Sequence, residues 1–241
     1  MIFVGQGALL RRAVLHARQT GVCIDLICSP AGADGSHPAA YGDIPFRAVE
    51  DINGLADELV AVSTDGIIWS VNNPMIFRSP LLSSSLRILN IHHGPLPAYR
   101  GLPEVALIYA ILNGESTYAA TLHEVDEGID TGRRLAAESY PIGHDEPYHL
   151  VMRRGLSICH RLFERTLRLV AADPNWPGDA LLSEPDTAGR YFGRKELTQL
   201  HHHRLQPDFG RATDLGALRE YFPNIANALR SAEADLGTVK R

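Results

Sequence analysis

An α/β fold with a doubly wound, mostly parallel, Rossmann-like sheet is the class this sequence predicts, and three observations predict it. The chain opens with a short apolar run, Ile2 to Val4, which ends in Gly5-Gln6-Gly7 and passes directly into Leu9, Leu10, Val14 and Leu15 at helical spacing. Short apolar segments then keep alternating with helical ones. Two of them, Gly66 to Val71 and Leu86 to Ile91, are mostly apolar, as strands covered by helices on both faces are.

The elements follow in order. The strand, turn and helix at the amino terminus open a βαβ unit. Cys23 to Cys28 supplies a second strand and Ile44 to Val49 a third, after a loop rich in Ala, Gly and Pro, and Ile52, Leu55, Ala56, Leu59 and Val60 mark a second helix. Beyond the strands at 66–71 and 86–91, the segment from Pro103 to Asn113-Gly114 predicts a buried helix with Pro in its first turn. Tyr118 to Val125 is a strand, the polar loop Asp126 to Gly132 leads to another at Arg134 to Tyr140, and Leu150, Val151, Ile158, Leu162 and Leu169 line one side of a long helix from Pro147 to Val170. The compact domain is expected to comprise residues 1–172. Residues 173–241, interrupted by Pro174, Pro177, Pro185 and Pro207, are expected to form a short loop-rich appendage with one helix near Leu215 to Phe222.

Composition narrows the function classes. The 241 residues are 45% hydrophobic and 21% charged, which suits a soluble folded domain with a modest appendage. Lys plus Arg is 23 against 28 for Asp plus Glu, a net charge of −5 without a dense basic cluster, so nucleic acid is not an expected partner. No apolar run reaches about 18 residues and no basic region precedes the first strand, so neither a membrane span nor a signal segment is expected, and a cytoplasmic location is. Cys23, Cys28 and Cys159 are odd in number and lack zinc-type spacing, and the first two point to opposite faces of the expected strand, so no disulfide or structural metal is expected. Gly5-Gln6-Gly7 lacks the third glycine and acidic partner of a dinucleotide fingerprint and reads as a tight turn. In His201-His202-His203 consecutive side chains are expected to diverge, so the run reads as a solvated loop and not as a metal site.

Two segments carry chemistry. In Asn90-Ile91-His92 the amide and the imidazole are two residues apart at a strand end and share a face. The carboxyl ends of strands line the ligand crevice of an open α/β sheet, so this pair is placed for chemistry, with Gly94-Pro95-Leu96-Pro97 as a stiff loop after it and His93 on the other side of the chain. The second segment, Thr121 to Gly132, is a strand that runs into an acidic loop with glycine at two bends. Singly, the first is an ordinary strand-end hydrogen-bond pair and the second a solvated turn.

Together they say more. Asn90-x-His92 with Leu96-Pro97-x-Tyr99-Arg100-Gly101, followed by Asp130 forty residues after Asn90 within His123-x-x-x-x-x-x-Asp130-Thr131-Gly132, resembles the N10-formyltetrahydrofolate-dependent formyltransferase family. The resemblance covers residues 1 to about 172, with its motifs confined to 90–132. It implies a catalytic domain at 1–172, N10-formyltetrahydrofolate as the formyl donor, and Asn90, His92 and Asp130 as the catalytic residues. The chemistry explains the residue types. As an amine attacks the formyl carbon, His92 and the Asn90 amide can donate hydrogen bonds to the developing oxyanion. Asp130 can favour the imidazolium form of His92 and can accept the amine proton, directly or through water. Donor binding is implied around Asn72-Asn73-Pro74-Met75-Ile76-Phe77 and the loop Asp126-Glu127-Gly128. Met75, Ile76 and Phe77 are also expected in the core on apolarity alone.

The resemblance also bears on the acceptor. Many members carry Ser-Leu where this chain has Gly94-Pro95, which argues against the purine-pathway transformylases. Methionyl-tRNA formyltransferases add a basic carboxy-terminal barrel, and residues 175–241 are short and not strongly basic. Formyl-folate hydrolases carry an additional amino-terminal regulatory domain, for which no room is expected before Ile2. The acceptor expected is a primary amine of a small metabolite, first a nucleotide-linked 4-amino-4-deoxysugar in secondary metabolism. The alternative is an aminoacyl or peptidyl precursor of non-ribosomal peptide synthesis, and a non-catalytic folate- or nucleotide-binding module stands as a third reading. Gly189 to Lys195 offers aromatic and cationic groups for a base or a pyrophosphate, and members acting on sugars imply a homodimer.

Overall fold

The computed structural model describes residues 1–33, 38–179 and 189–238, with the side chains of 231–238 left aside. Strands β1 (Ile2–Gly5), β2 (Leu26–Pro30), β3 (Phe46–Val49), β4 (Ile67–Val71), β5 (Arg87–His92), β7 (Thr117–Glu124) and β8 (Arg134–Pro141) form one seven-stranded sheet in the order β3-β2-β1-β4-β5-β7-β8. The first five are parallel, and β7 pairs antiparallel with β5. This is the doubly wound, mostly parallel Rossmann-like sheet expected. Helices α1 (Gly7–Gln19), α2 (Ala56–Val62), α3 (Pro103–Leu112) and α4 (Tyr148–Ala172) stand where the 3.6-residue periodicity puts them. Among the described residues no helix is long and apolar enough to cross a membrane.

The chain divides into two compact units, each built from three segments. The first comprises Met1–His92, Thr121–Ala137 and Cys159–Glu184. One face of its sheet packs Ile2, Val4, Cys28, Ile68 and Ile88 against Ile52, Ala56, Leu59, Phe77 and Leu81. The alternate residues face the other way: Phe3 and Trp69 meet Phe163 of α4 edge-on, at 6.1 and 5.1 Å between ring centroids. The order of the strands reverses between β1 and β4, where Gly5 is indispensable, because a Cβ there would lie 1.8 Å from the Val71 carbonyl oxygen.

The second unit comprises His93–Ala120, Glu138–Ile158 and Pro185–Arg241. Helix α3 is buried from Val105 through Ile111. Strands β6 (Tyr99–Gly101) and β9 (Arg190–Phe192) pair in parallel, with the rings of Tyr99 and Phe192 stacked at 5.1 Å and the Arg190 guanidinium 4.8 Å from the Phe192 ring. Tyr99 donates to Glu115 at 2.8 Å and accepts from Asn113, and burial pushes its phenol up to about 12.

Several sequence expectations are corrected. The second strand begins at Leu26, so Cys23 is exposed and lies outside it, because Gly21 ends α1 at φ +75° and the next residues link helix to sheet. In the appendage the expected helix at 215–222 is only a 3₁₀ turn, Gly216–Glu220, and the regular helix follows as α7 (Pro223–Thr238). Gly216 adopts φ +48°, which breaks the run, and Pro223 occupies the first helical position, where no N–H is needed. Within Gly189 to Lys195 lie β9 and the start of the short helix α5 (Arg194–Thr198), and a second short helix, α6 (Phe209–Ala212), precedes α7. His201 and His202 do not diverge: the 3₁₀ turn Leu200–His203 brings their rings to 4.0 Å, and His203 lies edge-on to Tyr109. Pro185 lies outside the described residues.

Candidate active site

Asn90 and His92 sit on the last turns of the β5 pleat and share one face, with Ile91 opposite. Pairing carries that row across the sheet: Ser70 of β4, Asn90 of β5 and His123 of β7 are register partners. Three polar side chains therefore stand abreast. His92 and His123 are buried, and Asn90 is partly so.

The hydrogen bonds define the His123 ring. Its Nδ1 lies 2.7 Å from the carbonyl oxygen of Glu124, which can only accept, so Nδ1 carries the proton. In the tautomer with Nδ1 alone protonated Nε2 accepts, which matches the Asn90 Nδ2 amide 3.0 Å from it. The second N–H of that amide is directed elsewhere. Asp130 completes the arrangement, with Oδ2 at 3.5 Å from His92 Nδ1 and Oδ1 at 3.5 Å from His123 Nε2.

Asp130 reaches these rings from a loop with a demanding backbone. It adopts φ +54°, a left-handed conformation that Asp tolerates better than most residues. Asp126 Oδ1 braces the loop by accepting from the Gly128 N–H at 3.1 Å and the Thr131 hydroxyl at 2.6 Å. A Cβ on Gly132 would lie 1.9 Å from the Glu124 carbonyl oxygen, so the return of the loop requires glycine. Asp126, Glu127 and Gly128 themselves are exposed.

The ends of the loop are held by charge. Glu124 accepts from Arg87 Nε at 2.8 Å and from Arg133 Nε and Nη2 at 3.1 and 2.8 Å. The remaining guanidinium N–H groups hold the carbonyls of Pro174, Trp176 and Pro177. Burial pushes the Glu124 carboxyl up, but the hydrogen bonds and charges of Arg133 and Arg87 outweigh it and leave its pKa below the ordinary value.

The loop after β4 shows a second kind of preparation. Asn72 takes φ +50° and donates to the Gln6 carbonyl at 3.1 Å. Asn73 accepts from the Met75 N–H at 3.0 Å and donates to the Met75 carbonyl and to Ser70. Phe77 is core and Met75 packs partly against it, whereas Ile76 is 50% exposed, contrary to the core expected for all three. Among the described residues the N–H groups of Ile76 and Phe77 and the Phe77 carbonyl have no hydrogen-bond partner in the chain. These three backbone groups flank the exposed Ile76 side chain.

Residues 1–167 match the family described as formyl transferase. The chain belongs to the formyl transferase family. It is 37% identical over 89 residues to the GDP-perosamine N-formyltransferase of Brucella melitensis, which covers 36% of this chain and 34% of that protein. The curated relatives also include methionyl-tRNA formyltransferases and a trifunctional purine biosynthetic protein, and the chain spans between 13% and 37% of the length of the first of them. Its fold is similar to a 4-N formyltransferase from Francisella tularensis, with TM-score 0.69 and 19% identity over 88% of this chain and 87% of that one. It is also similar to an N-formyltransferase from Helicobacter canadensis in complex with folinic acid and dTDP-3-aminofucose, with TM-score 0.64 and 19% identity over 81% of this chain and 71% of that one.

As a member of this family, the chain brings together the three residues of the sequence motif, Asn90, His92 and Asp130, and adds His123. Nothing in the sequence alone gives His123 a role: its signal was its place at the start of the Asp130 motif, and pairing with Asn90 across two strands supplies the rest. His93, next in sequence to His92, belongs to the second unit and is held there by Tyr140 at 2.5 Å.

Proposed function

We propose that this chain transfers the formyl group of N10-formyltetrahydrofolate to the primary amine of a nucleotide-linked 4-amino-4-deoxysugar. The observation that carries the reading is the Asp130 carboxylate set between His92 and His123, with the Asn90 amide oriented by His123. Asn90 and His92 are the donors to the oxyanion that develops on the formyl oxygen, and Asp130 is the acceptor of the amine proton. The residues fit the formyl donor: the unpaired backbone edge at Ile76–Phe77 suits a flat heterocycle with alternating donors and acceptors, and Met75 and Ile76 supply apolar surface beside it. Asp126, Glu127 and Gly128 are assigned to donor binding in the same reading. Residues 1–172 are the catalytic domain in this reading and 173–241 the appendage.

The sugar acceptor is supported by the relatives named for GDP-perosamine and for 4-N formylation, and by Arg190, Tyr191, Arg194 and Lys195 around β9, aromatic and cationic groups suited to a nucleoside diphosphate. Its soluble metabolites place the reaction in the cytoplasm in this reading, and a homodimer is what the resemblance to sugar-acting members implies. Release of tetrahydrofolate, followed by absorbance with product mass confirmed, tests the proposal across TDP-, GDP- and UDP-linked amino sugars and free or carrier-loaded amino acids. Turnover with one nucleotide sugar is expected. Turnover only with an aminoacyl or peptidyl acceptor replaces the sugar, and folate binding without any turnover replaces the enzyme with a binding module.

A further inference from the structure

Asn53 lies on the 3₁₀ turn Ile52–Leu55, outside every motif above, yet it is a buried polar residue at 6% exposure. Its carboxamide reaches over to the loop after β4. Nδ2 donates to the Ile76 carbonyl at 2.9 Å and to Asp51 Oδ1 at 2.7 Å, and Oδ1 accepts from the Arg78 N–H at 2.6 Å. Asp51 also accepts from the Asn53 backbone N–H at 3.0 Å, so the side chain that holds the loop is itself fixed at its root. One carboxamide thus takes the C=O of residue 76 and the N–H of residue 78, as a neighbouring strand would. Asn73 performs the corresponding task one step earlier, on both backbone groups of Met75. Between the two asparagines the backbone is held in one shape, and the groups left over are those at Ile76 and Phe77.

We propose that Asn53 is a positioning residue for formyl-donor binding, acting through the Ile76 carbonyl and the Arg78 N–H to hold the Ile76–Phe77 edge in its binding shape. The inference rests on the reading of that edge as part of the donor site. Orphaned donors and acceptors bind a rigid ligand tightly only if their ordering cost has been met before the ligand arrives. A buried amide with three bonds meets it without touching the ligand.

Titration calorimetry with 5-formyltetrahydrofolate, an unreactive donor analogue, tests this on Asn53→Ala and Ile76→Asp. Asn53→Ala is expected to weaken binding about tenfold, the scale of one net hydrogen bond, and to raise KM for the donor while kcat at saturation with the acceptor found active stays as in wild type. A purely structural role would lower Tm without that split. Wild-type affinity in Asn53→Ala, with affinity lost in Ile76→Asp, overturns the role of Asn53 and leaves the donor site standing. Wild-type affinity in both overturns the donor-site reading itself. Amide hydrogen exchange on the wild-type protein needs no variant: Arg78 is expected to be protected with and without the analogue, and Ile76 and Phe77 only with it. An Arg78 amide that exchanges as fast as that of Phe77 in the free protein overturns the proposal.

Discussion

Asn90 of β5 and His123 of β7 face each other across the antiparallel pair, and the Asn90 amide nitrogen lies 3.0 Å from His123 Nε2. Because His123 Nδ1 is committed to the Glu124 carbonyl, the ring determines which end of the Asn90 carboxamide turns toward it.

In the proposed mechanism Asn90, His92 and Asp130 each act in the transition state. Asn90→Ala, His92→Ala and Asp130→Ala are each expected to fold, to bind folate and to lose about 10²–10³ in kcat. Near-wild-type turnover in all three would remove the mechanism.

In that mechanism His123 acts through Asn90, so its effect is conditional. His123→Ala is expected to lower kcat about tenfold in the wild-type background and to cost little further in Asn90→Ala, as coupled neighbours do. Full additivity in that double-mutant cycle would show that His123 works independently of Asn90.

The Arg87–Glu124–Arg133 cluster gives a pH dependence of defined sign. The folded pKa of Glu124 lies below the ordinary 4.5, so its stabilising contribution is complete above that value and disappears as pH falls through the lowered one. The Tm difference between wild type and Glu124→Gln is expected to be largest near neutrality and to close in acid. A difference independent of pH argues that the carboxylate charge contributes nothing.

Gly155 lies inside α4, where glycine costs about 1 kcal/mol relative to alanine. Packing explains it: a Cβ there would stand 1.9 Å from His93 Nε2 and 2.4 Å from the Tyr140 hydroxyl, two groups bonded to each other. Overpacking of about 1–3 kcal/mol should therefore exceed the helix-propensity gain, and Gly155→Ala should lower the urea midpoint. A raised midpoint would mean that the pair yields.

The two amino-terminal thiols should differ in reactivity. Burial holds the Cys28 thiol up at about 12, whereas Cys23 is exposed. Iodoacetamide at mildly alkaline pH is expected to label Cys23 and to leave Cys28 unmodified until the protein unfolds, as peptide mass mapping would show.

The parallel core was legible because strands covered on both faces must be apolar for their whole length, which is why 66–71 and 86–91 stood out. The Asn90, His92 and Asp130 positions were legible because strand alternation and a motif fixed them. What lay beyond reach was long-range: β9 is three residues long and finds its partner about 90 residues upstream, and Asn53 acts on carbonyl and N–H groups that any sequence has. His123 was visible as a letter in a motif, but its work depends on which residue stands opposite. The helix that starts at Pro223 went unread because sequence shows the missing N–H and not the position at which it is harmless.

That Ser70, Asn90 and His123 form one row across three strands means that the site is written in alignment and not in any single stretch of chain. Side chains of a strand alternate between faces, so one residue inserted between Thr117 and His123 that slid the end of β7 by a single step would send His123 to the Leu89 side of the sheet while leaving every residue of the motif in place. Two inserted residues would restore the face and still miss Asn90. Survival of the motif and survival of the site are therefore separate matters, and a chain of this kind can lose its chemistry by a change of count alone.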